Sequence, residues 1–266
     1  MSMSAGLTIA DLVQQVYYAI YKVRLDVRQG TEGAYHSKSD KFQEVVMEAN
    51  FVLQELQKEQ DWNWLRDRWD MGFSHKEPHN GVQEFVLPED VYKPCTGYND
   101  AVRLHRLRNP QTWMEIPFVS ARSGNHHEIA MFDQYGLINA PDNRVRAFQV
   151  GDVITFTRPW RDNELHCLLE MDVIRRMQPL HICDESCPNN CPKAYEEKVL
   201  TEIPDPYYVV VKTARKRAEG DPSAIDRVQS LTQDETRMLS AMRENDSAHT
   251  WVDTYRTVEL GYLPVL

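Results

Sequence analysis

No stretch of this 266-residue chain is a long uninterrupted apolar run, and its opening, MSMSAGLTIADLV, has no basic segment leading into one. A membrane-crossing helix needs about 20 apolar residues, so the expectation is a soluble protein with no membrane span and no secretory signal peptide. Positive charge is also scarce. Lys and Arg number 30 against 40 Asp and Glu, a net charge of -10, which argues against a general nucleic-acid-binding surface because gripping a phosphate backbone takes Lys and Arg. Acidity is compatible with a channel that nucleic acid passes without adhering. Glycine (11) and proline (14) are too few for a disordered or low-complexity chain.

Cysteine is sparse and odd in number: Cys95, Cys167, Cys183, Cys187 and Cys191. That count, in a chain of this size, excludes a disulfide framework and points to a reducing compartment. Catalytic signatures are missing as well. There is no phosphate-binding glycine loop, dinucleotide fingerprint, Gly-x-Ser-x-Gly elbow or Asp-x-Asp pair. The expectation is that the protein is not an enzyme. An unrecognised carboxylate site is the alternative within that class.

What is present is organised around 40–69. Phe42, Val45, Val46, Ala49, Leu53 and Leu56 recur at steps of three and four and place one apolar face on a helix, opposite Glu44, Glu48, Glu55, Lys58 and Glu59. Trp62, Trp64 and Trp69 follow closely, with more apolar surface than a helix end can hide. They are read as a hinge or interface. Upstream, 7–28 reads as a first helix with Thr8 and Asp11 at capping-box spacing and an apolar stripe broadened by Tyr17, Tyr18 and Tyr21.

From Met71 the period shortens. Segments 81–87, 101–107, 113–119, 127–132, 145–148 and 153–156 are rich in Val, Ile, Phe and Trp and are separated by Pro, Gly, Asn and Asp, which predicts an all-β barrel or sandwich. Gly151-Asp152 marks a tight hairpin within it. Segment 165–174 has a helical composition and a strand-like setting, so both assignments stay open. Helices return after Asp205-Pro206 and again after Asp221-Pro222. The run Lys212, Arg215, Lys216, Arg217 reads as a solvated helix end, with contact to an acidic partner subunit as the alternative.

One loop has ligand character. His181, Cys183, Cys187 and Cys191 offer four donors suited to a structural Zn²⁺, with Cys167 or His166 as substitutes. The spacing is not that of the common Cys-x2-Cys knuckle, and a plain surface loop of reduced thiols is the competing reading. Beyond Asn245 the tail carries Trp251, Tyr255, Leu260, Tyr262, Leu263 and Leu266 without helical period, so it needs a host surface.

The expected fold is therefore α+β. The N-terminal helical pair (1–70) and the C-terminal pair (205–245) form a four-helix bundle, with a β domain carrying the Cys-rich loop (71–204) inserted and an extended arm at 246–266. On three phrases, FVLQELQKEQDWNWLRDRW at 51–69, EFVLPEDVYKP at 84–94 and PDPYYVVVKTARKRAEGD at 204–221, the chain resembles the head-to-tail connector, or tail tubular, proteins of short-tailed bacteriophages. The resemblance extends over 7–243. It implies a structural virion protein at the head-tail junction, present in the host cytoplasm during assembly, forming a homo-oligomeric ring of about a dozen copies. By the same resemblance it binds the portal protein and tail or nozzle proteins, extends the DNA channel for genome ejection, and docks through the 246–266 arm. No cofactor is implied. A zinc-stabilised scaffold or binding module is the runner-up.

Overall fold

The computed structural model describes residues 6–24, 39–78, 81–95, 101–106, 109–119, 145–182 and 196–248. These contain both helices and sheet strands and establish an α+β fold. They fall into two compact units. One holds the described residues up to Trp64 and from Met177 onward, and the other lies within Leu65–Arg176.

The helical unit contains α1 (Ile9–Tyr21), α2 (Asp40–Glu59), α3 (Tyr207–Glu219) and α4 (Val228–Ala248). Helix α1 starts as its sequence requires: Thr8 Oγ1 accepts the Asp11 N–H at 3.0 Å while the Asp11 carboxylate accepts the Thr8 N–H, closing a capping box. It ends well before position 28, at Lys22, whose φ of 56° leaves the right-handed helix while its N–H bonds back to Tyr18 O. Ser39 caps α2 by accepting the Phe42 N–H. Helix α3 packs against α1, α2 and α4, and α1 also meets α2. The α-helical turns of α4 begin only at Val228, after a 3₁₀ turn at Ile225–Arg227, rather than directly after Asp221-Pro222.

Among the described residues, eight strands lie in the β unit: β1 (Arg66–Phe73), β2 (Phe85–Val86), β3 (Val91–Pro94), β4 (Ala101–Arg106), β5 (Asn109–Val119), β6 (Ala147–Val150), β7 (Val153–Phe156) and β8 (Leu168–Arg175). Hydrogen-bonded neighbours follow the order β1-β8-β4-β5-β6-β7-β2, antiparallel except for the parallel β5-β6 contact. Strand β3 pairs with the far end of β8, so β3 and β4 run in succession along one side of it while β1 covers the other. The ambiguous 165–174 segment is thus a central strand. Its Leu169, Met171 and Val173 alternate into a core shared with Met71, Ile116 and Phe156.

Two glycines set strand geometry. Gly72 (φ +95°) occupies the bulge between β1 and β8, where its N–H donates to the Asp70 carboxylate at 2.8 Å. Gly151 (φ +62°) opens the two-residue loop joining β6 and β7 in the register Val150↔Val153, the expected hairpin. Residues 66–70, read from the sequence as part of the helical region, are strand, and β3 was not foreseen. The expected strand at 127–132 lies outside the described residues.

The segment after β8 also departs from expectation. Instead of continuing the β region to 204, Met177–Leu180 lies on α2: Asn50 donates to Leu180 O (2.9 Å) and accepts the Leu180 N–H (2.7 Å), while Gln57 accepts the Met177 N–H. Val199 forms an antiparallel bridge to Leu7. Its carbonyl passes so close to Gly6 that a Cβ there would lie 2.6 Å from the oxygen, which fixes glycine at that position. The root of the Cys-rich loop therefore belongs to the helical unit.

Candidate interaction surfaces

The basic run of α3 faces inward on three sides. Lys212 is buried (5% exposed), with its Nζ 3.1 Å from the Tyr208 hydroxyl, 3.2 Å from Glu55 of α2 and 3.8 Å from Glu235 of α4. Lys216 bonds to the same Glu55, and Arg215 spans Glu219 of its own helix and Glu235. Arg217 forks onto Glu44 and Glu48 of α2, each at 3.0 Å, and lies over the Tyr17 ring of α1.

These cations are paired with the unit's own carboxylates, which corrects the solvated-end reading. The cause is position on the helix. Residues 212, 215, 216 and 217 fan around the central helix, and each direction meets an acidic neighbour. Burial alone would raise the Glu55 carboxyl, but hydrogen bonds from Lys216 and Lys212 hold it below its ordinary value. Burial alone would lower the Lys212 ammonium, yet the Tyr208 hydroxyl and Glu55 raise it. With these cations committed, phosphate backbones have little to grip here.

The tryptophans divide between the units. Trp62 is fully buried, donates its indole N–H to Leu56 O at 2.7 Å and packs against Trp64 with ring centroids 5.4 Å apart. Among the described residues, the Trp64 indole N–H is buried with no acceptor. Trp69 sits on β1 and packs against the core of the β unit. Just beyond Trp62, Asn63 N–H (2.8 Å) and the Gln60 side chain (3.2 Å) both donate to the buried Asp246 carboxylate near the end of α4. Asp246 is thus part of a helix and its packing, and the arm expected from 246 starts no earlier than 249.

The β unit holds a closed polar clamp. Glu164 receives two bonds from the Arg158 guanidinium at 2.7 Å and one from the Arg161 N–H at 2.8 Å. Gln83 accepts from the Trp160 indole and the His75 N–H and donates to Phe73 O. Ser74 Oγ bonds Glu164 O and accepts the Cys167 N–H. Burial would raise the Glu164 carboxyl, but Arg158 and Arg161 hold it below the ordinary carboxylate value. A buried carboxylate kept ionised, with both oxygens occupied, is a structural anchor and is poorly placed to shuttle protons.

At the root of the Cys-rich loop, His181 is exposed and lines a groove of about 180 Å³ with Leu53, Met177, Leu180, Val199 and Ile203. Cys183, Cys187 and Cys191 lie outside the described residues, as do Trp251, Tyr255, Leu260, Tyr262, Leu263 and Leu266. Among the described residues, no group of three or more His, Cys, Asp or Glu side chains is arranged to hold a metal ion. Cys167, named as a substitute ligand, is buried in the β core, where its thiol faces Leu165 O. Among the described residues no helix is long and apolar enough to cross a membrane.

No protein-family model matches the chain, and no curated protein matches it.

Sequence reasoning missed Asn50 and Gln57, which anchor the 177–180 segment. Their signal was present: two amides seven residues apart, beside the apolar stripe of α2. It also assigned Glu44, Glu48 and Glu55 to solvent, because their partners lie more than a hundred residues away in sequence.

Proposed function

We propose that the protein is a structural head-to-tail adaptor. It forms a ring beneath the portal of a short-tailed phage, extends the DNA channel and presents a docking surface to tail components. In this reading the four helices form one bundle, and the β unit is a barrel or sandwich inserted into it. The observation that carries the reading is the commitment of the α3 cations to Glu44, Glu48, Glu55 and Glu235 within the same chain. It withdraws this basic run from passing DNA, and together with the net charge of -10 it suits a conduit that DNA crosses without adhering. The helical return from 204, which supplies α3, is also one of the phrases on which the connector resemblance rests. The protein acts without catalysis, and DNA passes without sequence-specific binding.

A ring needs two different complementary surfaces on each copy. Exposed Met47 and Phe51, one turn apart on the outer face of α2, supply apolar surface for one of them. The arm supplies portal contact. Truncation after Ala248 is expected to leave the helical unit folded by circular dichroism while abolishing binding to purified portal rings. Normal incorporation of the truncated chain into particles would refute the arm's role.

A further inference from the structure

Met47 and Phe51 are 55% and 53% exposed, on the helix whose other side builds the core of the helical unit. At 3.6 residues per turn they lie roughly 120–160° around α2 from Leu53. Leu53 lines the groove at the root of the Cys-rich loop, so the exposed pair and the groove lie on different sides of α2. The carboxylates flanking the pair are answered within the chain: Arg217 holds Glu44 and Glu48, and Lys212 and Lys216 hold Glu55. Exposed Lys58 follows Phe51 by about two turns on the same side, whereas Asp40, at the other end of that face, is about three turns away. Phe51 is thus an exposed ring with a lysine as its nearer charged neighbour on that face.

The groove offers the complement. Its volume is about 180 Å³, and an apolar cavity of ~150 Å³ takes up benzene, so one phenyl ring fits. Leu53, Met177, Leu180, Val199 and Ile203 make its walls apolar. Its rim is acidic: Glu202 lines it and Glu196 and Glu197 immediately precede the lining stretch, while Lys198 is the one permanent cation among the lining residues. Ring and groove therefore match in size, in polarity and in the sign of the charge beside them. Phe51 and Leu53 share one rigid helix, so Phe51 cannot reach the groove of its own copy. A second copy supplies it.

Resting on the ring of the adaptor reading, we propose that Phe51 of one copy seats in the groove of the next, with Met47 at the lip and Lys58 toward the Glu202 side. The contact joins two different surfaces, so it is head-to-tail and repeats from copy to copy, as a closed ring needs. An aromatic anchor in an apolar pocket is the kind of residue that carries most of an interface's affinity. The root of the Cys-rich loop then becomes a subunit contact.

Photocrosslinking of the full chain tests this, with Phe51 replaced by the photoreactive analogue benzoylphenylalanine and isotopically light and heavy copies mixed, alone and with purified portal rings. Mass spectrometry is expected to find the residue-51 peptide of one copy joined to 177–180 or 199–203 of another. Phe51→Ala, a change at an exposed site, is expected to leave the circular dichroism spectrum unchanged and to weaken self-association about tenfold or more. Cross-links from residue 51 to α2 of another copy would overturn the proposal, since they report a two-fold contact between like faces. So would cross-links confined to one copy, or association unaltered by Phe51→Ala. Light scattering on the same samples separates the two readings. A ring-sized or portal-bound mass without the expected cross-links defeats this contact and leaves the adaptor reading standing, whereas a monomer indifferent to the portal defeats both.

Discussion

Trp62→Ala is expected to destabilise the helical unit by about 3–5 kcal/mol, the usual cost of emptying a buried tryptophan site. The indole is fully buried, its N–H bonds Leu56 O, and Trp64 packs on its ring. Removal loses apolar burial, opens a cavity and leaves a carbonyl at the end of α2 without its donor. Trp62→Phe retains most of the ring contact and should cost much less, on the order of the hydrogen bond plus a small void. Urea denaturation followed by circular dichroism reads both variants. A midpoint for Trp62→Ala indistinguishable from wild type would show that the residue is not core.

Glu164→Ala is expected to cost about 3 kcal/mol, because it strands the Arg158 guanidinium in a site built around a carboxylate. Glu164 is 7% exposed and accepts three bonds from Arg158 and Arg161. The double replacement Arg158→Met with Glu164→Leu should lose less than Glu164→Ala alone, since it leaves no uncompensated charge. The sign of the pH dependence follows from the lowered carboxyl. A group with a depressed folded value stabilises fully above its ordinary value of 4.5 and loses that contribution as pH falls from there through the lowered value. The gap between wild type and Glu164→Ala, measured by urea unfolding, should therefore be widest near neutrality and shrink in acid. A gap constant with pH would mean that the carboxylate charge contributes nothing.

Local signals were the legible part of the sequence. The Thr8-Asp11 box, the Ser39 cap and the Gly151 hairpin depend on residues a few positions apart, and each forms where its chemistry places it. The α2 stripe was equally plain, and Phe42, Val45, Ala49 and Leu56 are fully buried. Long-range consequences were hidden. Strand β1, RDRWDMGF, carries Arg68 and Asp67, whose ion-pair partners Glu170 and Arg175 lie on β8, and its strand character comes from that neighbour a hundred residues later. The 177–180 segment has no periodicity of its own because it is held by two amide side chains of α2. The α3 cations looked solvated because their carboxylates come from α2 and α4. Of the residues read as a hinge or interface, Trp62 is fully buried in the helical unit and Trp69 packs on the core of the β unit.

The most direct measurement is the mass of the purified full-length protein by light scattering, alone and mixed with portal rings. The adaptor account predicts a ring-sized assembly, or a smaller species that enters a defined large complex only when the portal is added. A monomer or dimer whose mass is unchanged by the portal would contradict it.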